Sequence, residues 1–322
     1  ASPIVYTSLV RREAVESVLI EGADIELEDL FRPEDIDHGE TTKDIREGIN
    51  YETAVREGAT RVSETGEITV DLLNDLHGTL MAGVRDEGHD AGAFRTAPVH
   101  IPPPEPHLTP FVPPAATKVP HLMDNLVAYI QDGGAYHDLV DLGLVHYQFE
   151  TIHPYGDGNG RLGRLLITLQ LIQQGYLSDP YLYPSAYFNE HKIEYVNRMR
   201  AVSEEGAWEP WLQFFVDGIR QQAADAVART DELRELRREY EMRYGHEKAA
   251  RDRLAMRLFQ YPYVTTKEVQ KLLDVSHQTA RNAIMALENE GVLQETTGKE
   301  RYQEFKAVDI FDILTRSFDE SA

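Results

Sequence analysis

Twelve consecutive positions constrain this chain more than any others: His153-Pro154-Tyr155-Gly156-Asp157-Gly158-Asn159-Gly160-Arg161-Leu162-Gly163-Arg164. A glycine-rich loop runs straight into an apolar-periodic helix, so a helix must begin at this loop. Gly158 and Gly160 let the backbone approach a ligand closely. The amides there open the helix, and they turn donors and a positive dipole end toward any anion. Arg161 and Arg164 lie three apart, on neighbouring faces of the first turn, and both can reach phosphate oxygens. Asp157 is a hard oxygen ligand just ahead of this nest, where Mg²⁺ bridging phosphates would sit. His153 is the nearby group that titrates near neutrality, which makes it the candidate general base. A plain glycine turn with a capping Asn and two surface arginines has the same outline. The density of chemically apt residues favours a phosphoryl-type transfer by positioning and charge stabilisation.

Helical spacing surrounds this segment. The pattern predicts helices over Ser8–Ile20, Asp44–Glu57, Val70–Val84, Pro120–Gln131, Asp138–Ile152, Asn159–Gln174, Asn189–Glu204 and Trp208–Asp217, then a long charged one from Gly218 to Tyr244. An acidic stretch, Asp24–Glu40, lies between the first two. Gly88–Pro120 differs: prolines at 102, 103, 104 and 106 forbid a helix. It reads as a short hairpin or extended flap plus an ordered loop, and long loops inside compact domains are usually functional. His100 and His107 have no metal-ligand spacing. Toward the C-terminus, Thr265-Thr266-Lys267-Glu268 is a capping box, Ser276 caps a second helix through Leu287, and Val292–Phe305 reads as a hairpin turning at Gly298. Helix-turn-helix plus hairpin is a winged-helix plan.

The 322 residues contain no cysteine, which excludes disulfides, thiolate metal sites and a cysteine nucleophile and fits a cytoplasmic enzyme. No apolar run approaches about 18 residues, so no membrane span is expected. Ala1–Val10 lacks the pattern of a signal peptide. With no initiator Met, the sequence reads as a piece of a slightly longer chain. Net charge is −23, and the bases are 24 Arg against 8 Lys. That imbalance fits either halophilic adaptation or arginine-favouring codons. Either way it opposes non-specific binding to nucleic acid.

The twelve-residue string resembles the Fic family signature, His-Pro-Phe-x-Asp/Glu-Gly-Asn-Gly-Arg-x-x-Arg, with Tyr155 in place of Phe. Phe149-Glu150-Thr151-Ile152 ahead of it is also similar. The resemblance implies a protein adenylyltransferase, a nucleotidyltransferase that moves AMP from ATP, with Mg²⁺, to a hydroxyl of an unknown target protein. In that reading His153 deprotonates the target hydroxyl, Asp157 holds Mg²⁺, and Gly158, Asn159 and Gly160 cradle the α-phosphate. Arg161 and Arg164 hold the outer phosphates, with Leu162 and Gly163 completing the ATP-binding stretch. Gly92–Ile101 resembles the family flap, with Val99, His100 and Ile101 as its ATP-side edge, although Pro102 stands where the family usually has Gly. Ser185–Tyr195 resembles the segment lining the adenine pocket, where Asn189, Glu190 and Tyr195 are the expected contacts.

Ser17-Val18-Leu19-Ile20-Glu21-Gly22 resembles the family's inhibitory motif. Ser17 and Glu21 share a helix face, and Glu21 stands at the helix C-terminus, where a carboxylate is disfavoured unless a cation offsets it. The resemblance supplies Arg164 as that cation, which gives an autoinhibited enzyme. It also implies a homodimer as one way of controlling the brake, and removal of AMP as a rival reaction at the same site. The winged helix stands open between DNA binding and dimerisation or target docking, since Glu288, Glu290, Glu295, Glu300 and Glu304 crowd it. A DNA-binding regulator with a nucleotide-sensing site is a further rival. The expected fold is mainly α: a Fic-type helical core with a small β-hairpin flap, plus a C-terminal winged helix. The expected divisions are 1–60, 61–220, 221–250 and 251–322.

Overall fold

The structure, a computed structural model, describes residues 3–32, 42–84, 91–103, 109–245, 249–299 and 301–316. The expectations placed on Gly88, Pro104, Pro106, His107 and Glu300, and on 33–40 of the acidic stretch, lie outside these. The described residues within 10–25 and 42–223 form one compact unit, and those within 3–9, 26–32 and 224–316 form another.

The first unit is all helix and loop. Its elements are α1 (Pro3–Ile20, from residue 10), α2 (Lys43–Thr65), α3 (Val70–Met81), α4 (Val119–Gln131), α5 (Asp138–Ile152), α6 (Asn159–Gln173), α7 (Pro184–Glu190), α8 (Lys192–Glu205) and the start of α9 (Trp208–Tyr244). Local chemistry sets the ends. Thr42 and Thr69 cap α2 and α3 through their hydroxyls, and Gly66 ends α2 in the left-handed region at φ 71°. Helix α6 is buried along nearly its whole length, from Leu162 through Ile172. A helix apolar on most sides belongs in the middle of a core. Around it pack α2, α3 and α5. The fit is close at Gly58, where a Cβ would stand 3.0 Å from both Leu76 and Leu169. An aromatic cluster of Phe188, Tyr195, Trp211, Phe214 and Phe215 fills the other side, with His146 stacked among the rings.

Three expectations change. The helix over Asn189–Glu204 is two, α7 and α8, broken at His191. The helices on either side of Gly218 are one of 37 residues. Gly218 does not end it, because it is the contact point for the Tyr187 ring, which a Cβ would meet at 2.5 Å. In the proline-rich stretch, the described residues pair through one antiparallel bridge, Ile101 with Phe111, and not as a ribbon within Gly92–Ile101. Pro98, Pro102 and Pro103 have no N–H to give a ladder.

The second unit holds the rest of α9, α10 (Ala250–Arg257), α11 (Thr266–Leu273), α12 (His277–Asn289) and α13 (Val308–Thr315). Its antiparallel sheet has the order β1 (Tyr263–Thr265), β3 (Glu304–Ala307), β2 (Leu293–Glu295). Thr265 and Glu268 form the capping box of α11, and Ser276 caps α12. The winged-helix plan is present, with β1 as a third strand. Arg229 is fully buried in this unit. It pairs with Asp225 at 2.8 Å and donates to the carbonyls of Ile313 and Arg316. Among the described residues no helix is long and apolar enough to cross a membrane.

Candidate active site

Two arginines inside a buried helix need counter-charges, because an unpaired buried guanidinium is costly. Arg161, 3% exposed, has Glu47 at 3.5 Å and Asp157 at 3.6 Å. Its Nε and Nη1 are buried without a hydrogen-bond partner. Arg164, 1% exposed, donates from Nε to the Ser17 hydroxyl at 3.0 Å. Its Nη2 donates to the Ser17 carbonyl at 2.8 Å and to Glu21 Oε1 at 2.7 Å. Burial alone would lower the Arg164 pKa, but Glu21, with Tyr195 and Glu150, outweighs it and the net direction is up. Glu21 mirrors this. Burial pushes its carboxyl up, Arg164 pulls harder, and the result lies below the ordinary value. Protein surrounds Glu21 closely, yet 42% of its side chain stays accessible because it faces a cavity.

That cavity has a volume of about 640 Å³. Glu21 lines it together with Glu150, His153, Asp157–Gly160, Arg164, Tyr195, His100 and Ile101. The loop's glycines shape it. Gly158 caps α6 at φ 74°, and a Cβ there would meet the Met81 sulfur at 2.8 Å. A Cβ on Gly160 would collide with the Glu21 carboxylate and crowd Arg164. Glu21 therefore sits over the opening turn of α6, where the helix end attracts anions.

His153 ends α5 in the left-handed region at φ 50°. The carbonyls left open at this helix end are taken by Arg95, whose Nε donates to the His153 carbonyl at 2.8 Å and whose Nη2 donates to that of Ile152 at 3.3 Å. Burial lowers the His153 pKa to about 4, against the pull of the Glu150 carbonyl, so the ring is neutral at pH 7. Its Nδ1 is buried and makes no hydrogen bond of proper geometry. Three residues upstream, Glu150 also has a buried, unpartnered Oε1, and burial pushes its carboxyl up to about 7.

The remaining sequence-predicted residues divide. The Asn159 side chain faces back into the loop, where Oδ1 accepts from the Tyr155 N–H and Nδ2 donates to the Tyr155 carbonyl, both at 2.9 Å. Leu162 and Gly163 are buried in packing, with Gly163 against Phe149 and Glu150. Tyr195 donates to His146 Nε2 at 2.6 Å, and the His146 Nδ1–H points to the Gly163 carbonyl. Asn189 donates to Glu16 at 2.9 Å and Glu190 is exposed; neither lines the cavity, and nor does Val99. The extra hydroxyl of Tyr155 donates to Asn74 at 2.8 Å.

Three residues that sequence reasoning passed over hold this arrangement. Arg95 anchors the segment ahead of His100. Glu13 of α1 accepts from Tyr51, Ser185 Oγ and the Ser185 N–H, which ties α1 to α2 and α7. Burial raises the Glu13 carboxyl to about 7 although these hydrogen bonds oppose it. His77 bonds both Gly92 and Asp157.

Residues 67–171 match the Fic/DOC family, 1–60 its N-terminal region, and 251–304 a DeoR-like helix-turn-helix domain. The chain belongs to the Fic/DOC family. Relatives named protein adenylyltransferase Fic include one from Aedes aegypti, 27% identical over 161 residues, which is 49% of this chain and 29% of that protein. A probable protein adenylyltransferase of Aquifex aeolicus is 36% identical over 98 residues, 30% of this chain and 28% of that one. The chain thus spans less than a third of the length of these curated relatives. A Fic family protein from Desulfovibrio desulfuricans has the same fold at TM-score 0.61 and 22% identity, covering 95% of this chain and 88% of that one. A Fic domain-containing signaling protein from Bacteroides thetaiotaomicron follows at TM-score 0.57 and 19% identity, covering 69% and 88%.

Proposed function

We propose that this Fic protein is a protein adenylyltransferase, held inactive by Glu21. One observation carries the reading: a neutral His153, the Asp157 carboxylate, the α6 N-terminus and the Glu21-clamped Arg164 all face a single cavity. The donor set suits the groups that the chemistry needs. Asp157 offers hard oxygen to Mg²⁺, Gly160 leaves the backbone open where phosphate oxygens would approach, and Arg164 lines the cavity as their cation, whereas Arg161 lies buried between Glu47 and Asp157 and does not line it. Mg²⁺, when bound, would neutralise phosphate charge. In the transfer, a target hydroxyl oxygen bonds the α-phosphorus of ATP, the bond to the bridging oxygen breaks and pyrophosphate leaves. The hydroxyl proton goes to His153. Glu21 occupies both the guanidinium and the anion-binding turn, so phosphates cannot take their places until it withdraws.

The test is incubation with Mg²⁺ and α-labelled ATP of the wild type, Glu21→Gly and Glu21→Gly with His153→Ala. Label in Glu21→Gly that vanishes in the double variant supports the transferase, its base and its brake. No label in any of the three, with folding confirmed, overturns it.

A second reading concerns the DeoR-like domain. Four of its acids are occupied structurally: Glu268 in the α11 cap, Glu290 by Arg243, Tyr244 and Arg251, Glu295 by the Thr297 and Gly298 amides, and Glu304 buried against Tyr263. Exposed on α12 and the hairpin are Gln278, Arg281, Asn282, Lys299 and Arg301. This favours duplex DNA over the purely structural alternatives. A mobility-shift series should show affinity falling steeply with salt. A flat salt response would remove the DNA reading.

A further inference from the structure

Helix α3 turns Asn74, His77 and Met81, at i, i+3 and i+7, toward the loop before α6. Asn74 takes the Tyr155 hydroxyl at 2.8 Å, and the Met81 sulfur lies 3.7 Å from Arg161 Nη2. His77, between them and 3% exposed, bonds in two directions. The Gly92 N–H donates to Nδ1 at 2.9 Å. The ring proton is therefore on Nε2, which donates to the Asp157 carbonyl at 2.9 Å. The ring lies flat on Tyr155, with centroids 3.8 Å apart and planes 8° apart. Gly92 has φ 81°, and a Cβ there would stand 3.0 Å from the Asn74 carbonyl. The chain is thus pressed onto α3 with its amide aimed at one acceptor.

A histidine that only fills a core can take any satisfied pose. Here the two partners lie 15 and 80 residues away in sequence, on different segments that border the cavity. One leads to His100 and Ile101; the other carries Asp157 and Tyr155. We infer that His77 is a positioning residue, a staple that sets the seat of the 91–101 segment and the aim of Asp157 together. The role of Asp157 rests on the proposed transferase reading; the staple itself does not.

His77→Phe keeps the ring and its stack and deletes both hydrogen bonds. His77→Asn keeps an acceptor for Gly92 and loses the donor to Asp157. Two readouts separate them: hydrogen exchange at the Gly92 amide in the otherwise wild-type chain, and the Mg²⁺ concentration for half-maximal labelling in the Glu21→Gly background. The Phe variant should lose about tenfold in Gly92 protection and need about tenfold more Mg²⁺, the scale of effects for partners that orient a metal ligand. The Asn variant should regain the protection and keep the Mg²⁺ defect. Wild-type values of both readouts in both variants would make His77 a core filler and overturn the inference. A Glu21→Gly parent that takes no label would fail the transferase reading, while Gly92 exchange would still decide the staple.

Discussion

Glu21 Oε1 accepts from Arg164 Nη2 at 2.7 Å across 143 residues of sequence, while Nε and the same Nη2 also hold the Ser17 hydroxyl and carbonyl in the last turn of α1. The arginine thus reads the end of α1 at two points. Deleting the carboxylate leaves the Ser17 contacts in place, so Glu21→Gly frees one charge-assisted donor without unseating the helix. Labelling with α-labelled ATP should rise by about 10²-fold, the usual worth of one such donor to a transition state. Stability should fall by about 1–3 kcal/mol, since the buried Arg164 loses its carboxylate partner but keeps its Ser17 contacts and faces the cavity. Unchanged labelling with Arg164 still folded in place would sink the brake.

Gly160 is where the clamp and the nest meet. Gly160→Ala puts a methyl group against both Glu21 and Arg164. It should loosen the clamp without producing activity, because the same methyl fills the space that phosphate needs. In the Glu21→Gly background, where the clash with the carboxylate is gone, nucleotide should bind about tenfold more weakly than without the added methyl. Isothermal titration with ATP and Mg²⁺ measures this, and equal affinity would show that the opening turn of α6 does not approach the phosphates.

The loop before α6 and the helix it opens were legible because their chemistry is local: Gly158 caps, Gly160 leaves room, and apolar periodicity continues to Gln173. The capping box at Thr265 and the cap at Ser276 were legible for the same reason. Gly218 misled, because a glycine that ends a helix and one that receives a tyrosine ring look alike in sequence. The break at His191 carries no glycine or proline to announce it. His77, Arg95 and Glu13 stayed hidden for a different reason. Each is an ordinary helix or loop residue whose meaning comes from partners on distant segments, so only the fold reveals them.

The acid limb of labelling by Glu21→Gly should fall near pH 4. His153 acts as a base when neutral, and burial brings its pKa to about 4 from the ordinary 6.5. As pH rises through 4 the imidazolium loses its proton and kcat/KM climbs; above about pH 5 this group contributes no further change. The same shift affects folding. The unfolded chain takes up the proton from pH 6.5 downward, so the stability linked to His153 is lost as pH falls from 6.5 through 4. A limb centred near 6.5, measured where thermal melts show a folded protein, would mean that the ring is solvated and this account of its burial is wrong.

Glu150 titrates in the opposite sense. Its carboxyl is held protonated up to about pH 7, so the linked stability is full below pH 4.5 and is lost as pH rises through 7. Glu150→Gln keeps the shape and cannot ionise. Its Tm should match the wild type below pH 4.5 and exceed it increasingly toward pH 8. The gap should reach about 1 kcal/mol, well under the full value of the shift, because the residue borders the cavity and water screens it. The amide nitrogen of the variant adds a constant offset if it goes unpaired, but an offset does not change with pH. The pH dependence of the difference therefore isolates ionisation, and parallel Tm curves from pH 4 to 8 would show that Glu150 is already charged in the folded protein.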